Sequence, residues 1–596
     1  MERKLLMGNE AMALGAIRAG VRVVAGYPGT PSSEVLENVA RHNDGSIYVE
    51  WSVNEKVGLE VAAGGAYAGA RSLATMKQMG MNVAADPLMS VNYVGVKGGL
   101  IILVADDPGP NSSQTEQDTR FYSKFSHMAL FDPSTPEEAY IMMADAFAHS
   151  EKYGRPVFIR CTTRVCHSCS SVQLLPTISV PEPEGFIKDP KWVIFPKASY
   201  ANKIKIVESM RVIQDEFANY ERNIVTGSGT KGVATGGVSY AYTKEALLNA
   251  PECKLFKVST MPFPDKRALE FLKGLEEILV IEELDPVIED ELIRLKGIHR
   301  LDVKILGKHT GHSQLAGEIT PNIAGKMLAG FLGFDPPKPR KLPEPPPLPI
   351  RPPVMCAGCS HRGAFYAVKE ATKGVKAVYT GDIGCYTLGN APPLEMVDTC
   401  LCMGAGITVA QGLRRVEPDA VHFAFIGDST FFHSGITGVV NAVYNQTDIV
   451  VVILDNETTA MTGNQPHPGM GVTMMGTNPP KVSIRRIIEA LDVSALHVVN
   501  PLDQSAAKEA VRAVLGQKGV RVILFEAPCV SLTKGEAPYS VDTEKCSGCK
   551  LCVQSLGCPA LSIRDGKAVI ESTMCTGCGV CSSLCHPNAI MREENV

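Results

Sequence analysis

Short apolar runs alternate with helix-like segments along most of this 596-residue chain. Residues 100–105 and 449–454 are continuous apolar runs of strand length, and each is followed by a polar turn. Residues 8–19 and the small-residue segment 55–70 have helical character instead. Apolar strands that alternate with helices are typical of parallel sheets covered by helices on both faces. The pattern therefore predicts an α/β protein.

A proline-rich segment divides the chain. Ten of the 40 prolines lie between residues 336 and 353. Proline lacks an amide donor and fixes φ, so this segment is predicted to be an extended linker. We expect four structured regions around it, two α/β regions before the linker, a third after it and a cysteine-dense module at the end: 1–185, 186–335, 354–535 and 536–596.

Composition and charge exclude several classes of protein. The formal net charge is −5, and the basic residues form no stripe, so we expect no nucleic-acid partner. No stretch reaches the roughly 18 apolar residues that a membrane span needs. The N-terminal apolar run is broken by Asn9 and Glu10, which makes it a poor secretion signal, so a cytoplasmic protein is expected.

Eight of the 18 cysteines lie in the last region, in two similar runs. Three cysteines at two-residue gaps can bind three corners of one iron–sulfur cubane, while the fourth cysteine of each run binds the other cluster. The first run has five residues before its fourth cysteine, and His586 precedes the proline of the second. A pair of structural zinc sites is the alternative. The predicted [4Fe–4S] ligand sets are Cys546, Cys549, Cys552 and Cys585, and Cys575, Cys578, Cys581 and Cys558.

A second motif lies at two consecutive strand ends. Gly427-Asp428-Ser429 follows the predicted strand 422–426, and Asn456 comes 28 positions after Asp428, behind the strand 449–454. Mg²⁺ prefers hard oxygen ligands in an octahedron, which Asp428, the Asn456 amide and the Thr458 carbonyl would supply. This arrangement resembles the diphosphate-binding motif of thiamine-diphosphate enzymes, with Gly427 letting the backbone approach the phosphates. The alternative is an ordinary polar turn.

These motifs, together with two N-terminal segments, are similar to those of 2-oxoacid:ferredoxin oxidoreductases. The segments are Tyr27-Pro28-Gly29-Thr30-Pro31 and Asn54-Glu55-Lys56-Val57-Gly58. In its order of domains the chain resembles the large-subunit family of indolepyruvate:ferredoxin oxidoreductases. The resemblance implies a pyrimidine-binding domain over 1–185, a transketolase C-terminal-like domain over 186–335, a diphosphate-binding domain over 354–535 and a two-cluster ferredoxin module over 536–596.

The resemblance also implies roles for single residues. Glu55 would activate the aminopyrimidine ring of the cofactor, with Gly69 and Gly80 at the family's spacing behind it, and Glu60 is the second choice. Thr30 would face the substrate carboxylate, and His361 would lie on the cofactor side. From the residues alone, each glutamate reads as a solvated helix position and Thr30 as a loop residue.

Further cysteines match a cofactor-proximal [4Fe–4S] cluster of the family: Cys356, Cys359, Cys385 and Cys529. Inert buried cysteines are the alternative. Cys161, Cys166 and Cys169 with His167 look like a zinc set, but they match no ligand motif of the family, so packing is the favoured interpretation. Cys400 and Cys402 are also predicted to be packing residues.

The function implied by the resemblance is oxidative decarboxylation of aryl 2-oxoacids, through a thiamine-diphosphate ylid, to acyl-coenzyme A and carbon dioxide. Electrons would pass through the iron–sulfur clusters to an external ferredoxin, with coenzyme A as co-substrate. The implied partner is a separate small subunit, in an α₂β₂ assembly. The alternatives are a pyruvate-type oxidoreductase, a non-oxidative thiamine-diphosphate decarboxylase and a non-catalytic electron-transfer subunit.

Overall fold

The computed structural model describes residues 2–335, 346–349 and 352–593. The chain forms two compact units, Met1–Pro343 and Glu344–Val596. The predicted linker 336–353 falls largely outside the described residues. Among the helices that the structure describes, none combines the length and apolar character that crossing a membrane requires.

The first unit alternates strands and helices, as the apolar pattern predicts. Its strands are β1 Arg3–Met7, β2 Val23–Gly26, β3 Tyr48–Trp51, β4 Ser72–Lys77, β5 Leu100–Asp106, β6 Leu130–Phe131, β7 Val157–Thr162, β8 Cys169–Gln173, β9 Val225–Thr226, β10 Lys231–Gly236, β11 Lys254–Val258, β12 Thr260–Met261, β13 Glu277–Ile281 and β14 Lys304–Leu306. Its helices are α1 Gly8–Arg18, α2 Ser33–Arg41, α3 Glu55–Tyr67, α4 Gln78–Val83, α5 Ala85–Val94, α6 Thr119–Ser126, α7 Pro136–Tyr153, α8 Thr163–His167, α9 Pro196–Ala218, α10 Gly237–Ala246, α11 Asp265–Leu272, α12 Val287–His299 and α13 Pro321–Leu332.

Two sheets organise the first unit. The larger has the order β12-β6-β7-β5-β4-β2-β3, and its strands are parallel except for β12. Every residue of β5 is buried, because helices cover both faces of a parallel sheet. The smaller sheet has the order β14-β13-β10-β11-β9. One apolar core runs from residues of the first sheet to residues of the second, including Leu59, Val104, Phe256 and Leu292.

A buried ion cluster joins the two sheets of this unit. Arg120 pairs with Asp118 at 2.6 Å and with Glu282 at 2.7 Å. Arg160 pairs with Asp106 at 2.7 Å, and its charge also acts on Asp118. Because all of these charges are buried and paired, removing one partner is expected to be strongly destabilising. The presence of these buried charges is therefore explained by their contribution to the stability of the fold.

One predicted strand of the first unit is shorter in the structure. The segment Asn223-Ile224-Val225-Thr226 predicts a strand, but β9 contains only Val225–Thr226. The Asn223 side chain accepts from the Ser259 amide at 2.7 Å and donates to the Phe217 carbonyl at 2.8 Å. These hydrogen bonds, one of them to a residue 36 positions away, fix Asn223 outside the strand ladder.

The second unit contains a parallel sheet followed by the cysteine-rich tail. Its strands are β15 Ala377–Gly381, β16 Thr399–Cys400, β17 Val421–Gly427, β18 Ile449–Asp455, β19 Ala495–Val499, β20 Val520–Glu526, β21 Tyr539–Val541, β22 Leu561–Arg564, β23 Lys567–Ile570 and β24 Ile590–Arg592. Its helices are α14 Ser360–Ala371, α15 Ala405–Val416, α16 Asp428–Thr430, α17 Ile436–Tyr444, α18 Ile484–Glu489, α19 Gln504–Leu515 and α20 Leu551–Leu556, with a π-helical turn over Phe431–Gly435. The sheet order is β16-β15-β17-β18-β20-β19.

The tail is built from short antiparallel pairs, β21 with β24 and β22 with β23. Its buried residues, among them Leu556 and Ile590, belong to the same apolar cluster as Phe425 and Phe525 of the sheet. The tail therefore gains part of its stability by packing on the α/β part of its own unit. This contact also fixes where the cysteine cavities lie relative to the strand ends.

Candidate active site

The predicted diphosphate site lies at the carboxyl ends of two neighbouring strands. β17 and β18 are parallel partners, with Gly427 opposite Leu454. Asp428 and Asn456 directly follow these strands, and both are buried. The Asn456 amide donates to Asp428 Oδ2 at 3.1 Å, and the Ser429 amide donates to Asp428 Oδ1 at 2.7 Å. Parallel strand ends thus bring together side chains that are 28 residues apart.

The Asn456 side-chain amide, the Thr458 carbonyl and Asp428 converge at this point, with the amide 2.9 Å from the Thr458 carbonyl oxygen and 3.1 Å from Asp428 Oδ2. With its nitrogen facing these oxygens the amide donates to both, and with its oxygen facing them a cation would lie between the three oxygens. Six oxygens at the usual Mg²⁺ distance of about 2.05 Å form an octahedron with edges of about 2.9 Å. The donor set therefore fits a magnesium ion.

A histidine that the sequence analysis did not single out completes this corner. His467 Nε2 lies 3.1 Å from Asp428 Oδ2, and both side chains are buried. Burial alone would raise the pKa of Asp428, but the hydrogen bond and charge of His467 hold it below its usual value. Burial and the Asp428 charge raise the pKa of the neighbouring Asp455 to about 7. Asp428 is thus kept ionised, as a metal ligand must be.

His361 lies on the same side of the second unit as Asp428. It is 4% exposed, and neither ring nitrogen has a hydrogen-bond partner among the described residues. Burial lowers the pKa of His361 to about 4, although the Asp428 charge acts in the opposite direction. A buried imidazole without a partner is unfavourable unless a ligand supplies one. This buried ring without a partner is compatible with the cofactor-side position that the family resemblance implies.

A second acid occupies a strand end beside this site. Asp382 follows β15, is fully buried, and accepts hydrogen bonds from the Tyr386 hydroxyl and, at 2.8 Å, from the Gly404 amide. Burial raises the pKa of Asp382 to about 7. A Cβ atom on Gly427 would lie 2.6 Å from the Tyr386 ring, so glycine is required here by the tyrosine. Asp382 directly follows a parallel strand, and this position is the sequence signal that could have identified it.

The predicted proximal cysteines come from three separate loops and are brought together. Cys356 and Cys359 precede α14, Cys385 begins a 3₁₀ turn, and Cys529 follows β20. Burial raises the pKa of Cys385 to about 11, with further contributions from the charges of Cys359, Cys529 and Cys356. The Cys529 amide donates to the Asn456 carbonyl at 2.9 Å, so this cysteine group adjoins the Asp428 site.

The eight tail cysteines line two cavities. One cavity is lined by Cys558, Cys575, Cys578 and Cys581, and the other by Cys546, Cys549, Cys552 and Cys585. This is the grouping that the spacing rule for two-cluster ferredoxins gives. The sets take three cysteines from one run and one from the other, which the chain allows because the two runs fold over each other.

The thiols of these cavities have mixed environments. Burial and neighbouring thiolates, above all Cys578, raise the pKa of Cys581 to about 12. Backbone amides of Ala568 and Gly548 lower the pKa of Cys546. The Cys585 sulfur accepts from the Ala589 amide at 3.2 Å. Amide donors stabilise thiolates, and uncompensated burial disfavours them, so bound iron would supply the missing positive charge.

The cavity of the Cys558 set is also lined by Cys359. Arg362 connects the two regions, because its guanidinium donates to the Met355 carbonyl at 2.7 Å and to the Gly557 carbonyl at 2.9 Å. The segment that carries Cys356 and Cys359 is thereby fixed to the segment that carries Cys558. The cysteine groups therefore form a continuous series from the Asp428 site into the tail.

Other cysteines lie outside this series. Cys161 and Cys166 are buried with 3.3 Å between their sulfurs, whereas Cys169 is exposed. In the part of the chain that the structure describes, no group of three or more His, Cys, Asp or Glu is placed to hold a single metal ion. Thiolates around a cubane each bind a different iron, so they lie farther apart than ligands of one ion. Cys400 and Cys402 were predicted to pack, but both are exposed: Cys400 ends the two-residue edge strand Thr399–Cys400, and Cys402 lies in the bend that follows it.

The first unit carries the other predicted catalytic residues. Glu55 begins α3 and is 7% exposed. A Cβ atom on Gly80 would lie 2.5 Å from Glu55 Oε1, so glycine is needed for this close approach. Glu60 is exposed and pairs with Lys56 on the helix surface. Thr30 is half-buried in the loop after β2, and its hydroxyl makes no hydrogen bond to any residue that the structure describes.

Two family models match the chain. The model described as "Pyruvate flavodoxin/ferredoxin oxidoreductase, thiamine diP-bdg" matches residues 14–208. The model described as "Thiamine pyrophosphate enzyme, C-terminal TPP binding domain" matches residues 382–525, which include Asp428 and Asn456. One family model thus falls in each unit, and the descriptions of both name thiamine diphosphate or thiamine pyrophosphate.

Curated relatives match nearly the whole chain. A protein of Methanothermobacter thermautotrophicus named indolepyruvate oxidoreductase subunit IorA is 40% identical over 99% of this chain and 98% of its own length. The proteins of that name from Archaeoglobus fulgidus and Pyrococcus horikoshii are 40% and 37% identical, over 99% and 98% of this chain and 97% and 96% of their own lengths. A solved 2-oxoglutarate:ferredoxin oxidoreductase from Magnetococcus marinus is 16% identical, with a TM-score of 0.45 over 55% of this chain and 65% of that chain.

Proposed function

We propose that this chain, which belongs to the family of indolepyruvate oxidoreductase IorA subunits, acts on aryl 2-oxoacids. The chain is a thiamine-diphosphate 2-oxoacid:ferredoxin oxidoreductase. In the proposed reaction the carbon–carbon bond to the carboxylate breaks and carbon dioxide leaves. The remaining acyl group is joined to the sulfur of coenzyme A, whose thiol proton is released. The electron pair released passes in single-electron steps to an external ferredoxin.

One observation supports this function above the others. The cysteine group of Cys356, Cys359, Cys385 and Cys529 adjoins the Asp428 site through the Cys529–Asn456 hydrogen bond of 2.9 Å. The same group adjoins the cavity of the Cys558 set through Cys359. A non-oxidative decarboxylase would have no use for such a series, and an electron carrier would have no use for the Asp428 site.

The residues of the second unit would hold the cofactor by its diphosphate. Asp428, Asn456 and the Thr458 carbonyl would bind Mg²⁺, with Gly427 and Ser429 in the same strand-end turn. His467 keeps Asp428 ionised and oriented. Thiamine diphosphate, when bound, supplies the electron sink that makes loss of carbon dioxide possible. The neutral His361 is available to hydrogen-bond to it.

The residues of the first unit would act on the reacting end of the cofactor and on the substrate. The buried Glu55 would hold a proton at the aminopyrimidine ring, since it is fixed against Gly80 and shielded from water. The free Thr30 hydroxyl would donate to the substrate carboxylate. Glu60 is exposed on the outer face of α3, which favours Glu55 for this role.

We propose three [4Fe–4S] clusters. The Cys356 group would hold the first, the Cys558 set the second and the Cys546 set the third, at the far end of the series. Arg362 would keep the spacing between the first two constant by bonding the backbone on both sides. The relatives are named as a subunit, so we also propose a small partner subunit, in an α₂β₂ assembly.

The test is anaerobic reduction of ferredoxin or a viologen dye by the chain with its small subunit and coenzyme A. Indolepyruvate and pyruvate are compared, and carbon dioxide is counted separately. We expect reduction with the aryl substrate and little with pyruvate. Reduction with pyruvate alone would overturn the aryl assignment but not the chemistry. Carbon dioxide release without dye reduction would favour the non-oxidative decarboxylase.

A further inference from the structure

A buried lysine lies at the carboxyl end of a central strand in the first unit. Lys77 is the last residue of β4 and is 9% exposed. Its ammonium donates to the Ser112 carbonyl at 2.7 Å and to the Ser112 hydroxyl at 3.3 Å. Within the described residues no carboxylate lies within 4 Å of this ammonium, and the negative charge that acts on it is that of Asp107. Asp107 reaches it only through Ser112, whose hydroxyl donates to Asp107 Oδ2 at 3.3 Å, so the buried ammonium has no counter-charge in direct contact.

The nearest acid is already engaged elsewhere. Asp107 influences Lys77 electrostatically, but its carboxylate accepts from the Thr163 hydroxyl at 2.6 Å, the Ser113 hydroxyl at 2.7 Å and the Ser112 amide at 2.8 Å. These bonds and the charge of Lys77 lower the pKa of Asp107 against the effect of burial. Burial lowers the pKa of Lys77 to about 8, against the opposing charge of Asp107. The direct hydrogen-bond acceptors of the ammonium are therefore both neutral.

Lys77 is also placed beside the loop that carries Thr30. The Ser112 hydroxyl accepts a hydrogen bond from the Lys77 ammonium and donates one to the Thr30 carbonyl oxygen at 3.2 Å. A Cβ atom on Gly29 would lie 2.9 Å from Lys77 Cβ, so the loop and the strand end are in contact. The Thr30 hydroxyl has no partner among the described residues, as noted above. A charged donor and a neutral donor thus lie at one corner.

The same strand end leads to the candidate catalytic acid. Lys77 is followed directly by α4, whose Gly80 is packed against Glu55. The segment from Lys77 to Gly80 therefore joins the Thr30 loop to the glutamate. An anion held at this corner would lie next to the group that acts on the cofactor.

We propose that Lys77, together with Thr30, binds the carboxylate of the 2-oxoacid substrate. This inference rests on the proposed function, because it assumes that a 2-oxoacid reacts near Glu55. The carboxylate would give Lys77 a counter-charge in direct contact, in a charge-assisted hydrogen bond. Lysine makes this contact as a point charge, so it leaves the aryl end of the substrate unconstrained. Lys77 thus binds the carboxylate, the group that all 2-oxoacids share.

The test uses the complete complex with its small subunit and cofactors. Lys77→Met keeps the length of the side chain and removes the charge, and Lys77→Arg keeps the charge. We expect Lys77→Met to raise KM for phenylpyruvate about 10- to 100-fold, the range of a lost charge-assisted hydrogen bond, with kcat changed less. Lys77→Arg should recover part of the affinity. The matched control is Lys152→Met, which removes an exposed lysine elsewhere in the first unit and should change nothing.

A second arm measures binding without turnover. Affinity of 3-phenylpropionate, which has the carboxylate but no ketone, should fall by a similar factor in Lys77→Met. Thiamine-diphosphate affinity and the melting temperature should not fall, because an unpaired buried charge is removed. Unchanged KM and unchanged phenylpropionate affinity would overturn the inference. Weaker thiamine-diphosphate binding would also overturn it, since the anion would then be the diphosphate. A wild-type complex that binds phenylpyruvate but never turns it over would contradict the proposed function. In that case the affinity for 3-phenylpropionate alone would decide whether Lys77 binds the carboxylate.

Discussion

The second unit holds its two kinds of candidate ligand in different ways. At the ends of β17 and β18, hydrogen bonds from Ser429, Asn456 and His467 orient and ionise Asp428. In the tail, the cysteines face one another across cavities, and burial raises the pKa of thiols such as Cys581. The geometry of the strand-end site is therefore set by hydrogen bonds within the polypeptide. The stability of the tail sites depends much more on the clusters that they would bind.

The supporting structure explains this difference. β17 and β18 have seven residues each and belong to a six-stranded sheet within the described part of the unit. The tail strands have three or four residues, and their core is completed by the sheet. A small module with little core of its own usually needs metal for its fold. The comparison predicts that damage at the two sites has separable consequences.

The largest effect is expected from Asp428→Ala. Turnover should be lost, and affinity for magnesium thiamine diphosphate should fall by at least about 100-fold, because even outer-shell partners of a metal contribute about 10- to 100-fold. The iron content should not change. Calorimetric titration with the cofactor and an iron assay check both parts. Loss of iron together with the cofactor would show that the two regions are not independent.

Glu55→Gln should give the next largest effect. The rate is expected to fall about 10²- to 10⁴-fold, the usual contribution of a positioned acid–base group, while the cofactor still binds. Glu60→Gln is the matched control on the same helix, and it should retain the wild-type rate because Glu60 is exposed. Steady-state dye reduction measures both variants. A larger loss in Glu60→Gln than in Glu55→Gln would reverse the assignment.

Cys558→Ser tests the tail side of the comparison. It should lower the iron content by up to about four atoms per chain, because one cubane loses a ligand, and leave thiamine-diphosphate affinity unchanged. Removing all iron with a chelator should make residues 536–593 sensitive to proteases while the sheet stays resistant. Mass spectrometry of the fragments locates the cuts. Cys161→Ser, outside the series, should leave the iron content at the wild-type level, and a tail that resists protease without iron would contradict the account.

The smallest effect concerns pH and the first unit. Lys77 is charged below its pKa of about 8 and neutral above it, and Asp107 is the acid that acts on it. Substrate capture by the free enzyme should therefore weaken as the pH rises through about 8. In Lys77→Arg the guanidinium stays charged, so kcat/KM should lack this decline. Profiles of kcat/KM for both proteins from pH 6.5 to about 9.5 make the comparison. Parallel profiles would remove Lys77 from the explanation.

Much of the fold could be predicted because its signals are local. The apolar segments predicted β5, β17 and β18 to within one residue at each end, since buried strands exclude polar side chains. The grouping of the eight tail cysteines follows from their spacing, whereas the Cys356 group was indicated only by the family resemblance. Asn223 shows where this fails, since its contacts with Ser259 and Phe217 exist only in the folded chain.

The candidate site was predictable only in part. Asp428 and Asn456 stand directly after apolar strands, where the sequence marks them. His467 reaches Asp428 from an irregular segment 39 residues away, and no local pattern indicates that contact. The exposure of Cys400 also depends on its place in the edge strand β16. Residues whose positions depend on long-range packing cannot be identified from single sequence segments.

The central claim is that substrate electrons enter the tail through the Cys356 group. It is tested most directly by mixing the anaerobic complex with indolepyruvate and recording the electron paramagnetic resonance spectrum within one turnover. The account predicts reduced-cluster signals in the wild-type protein. It also predicts that Cys385→Ser, with cofactor bound and tail clusters intact, still releases carbon dioxide but shows no substrate-dependent reduction of the tail. Equally fast reduction of the tail clusters in Cys385→Ser would contradict the claim.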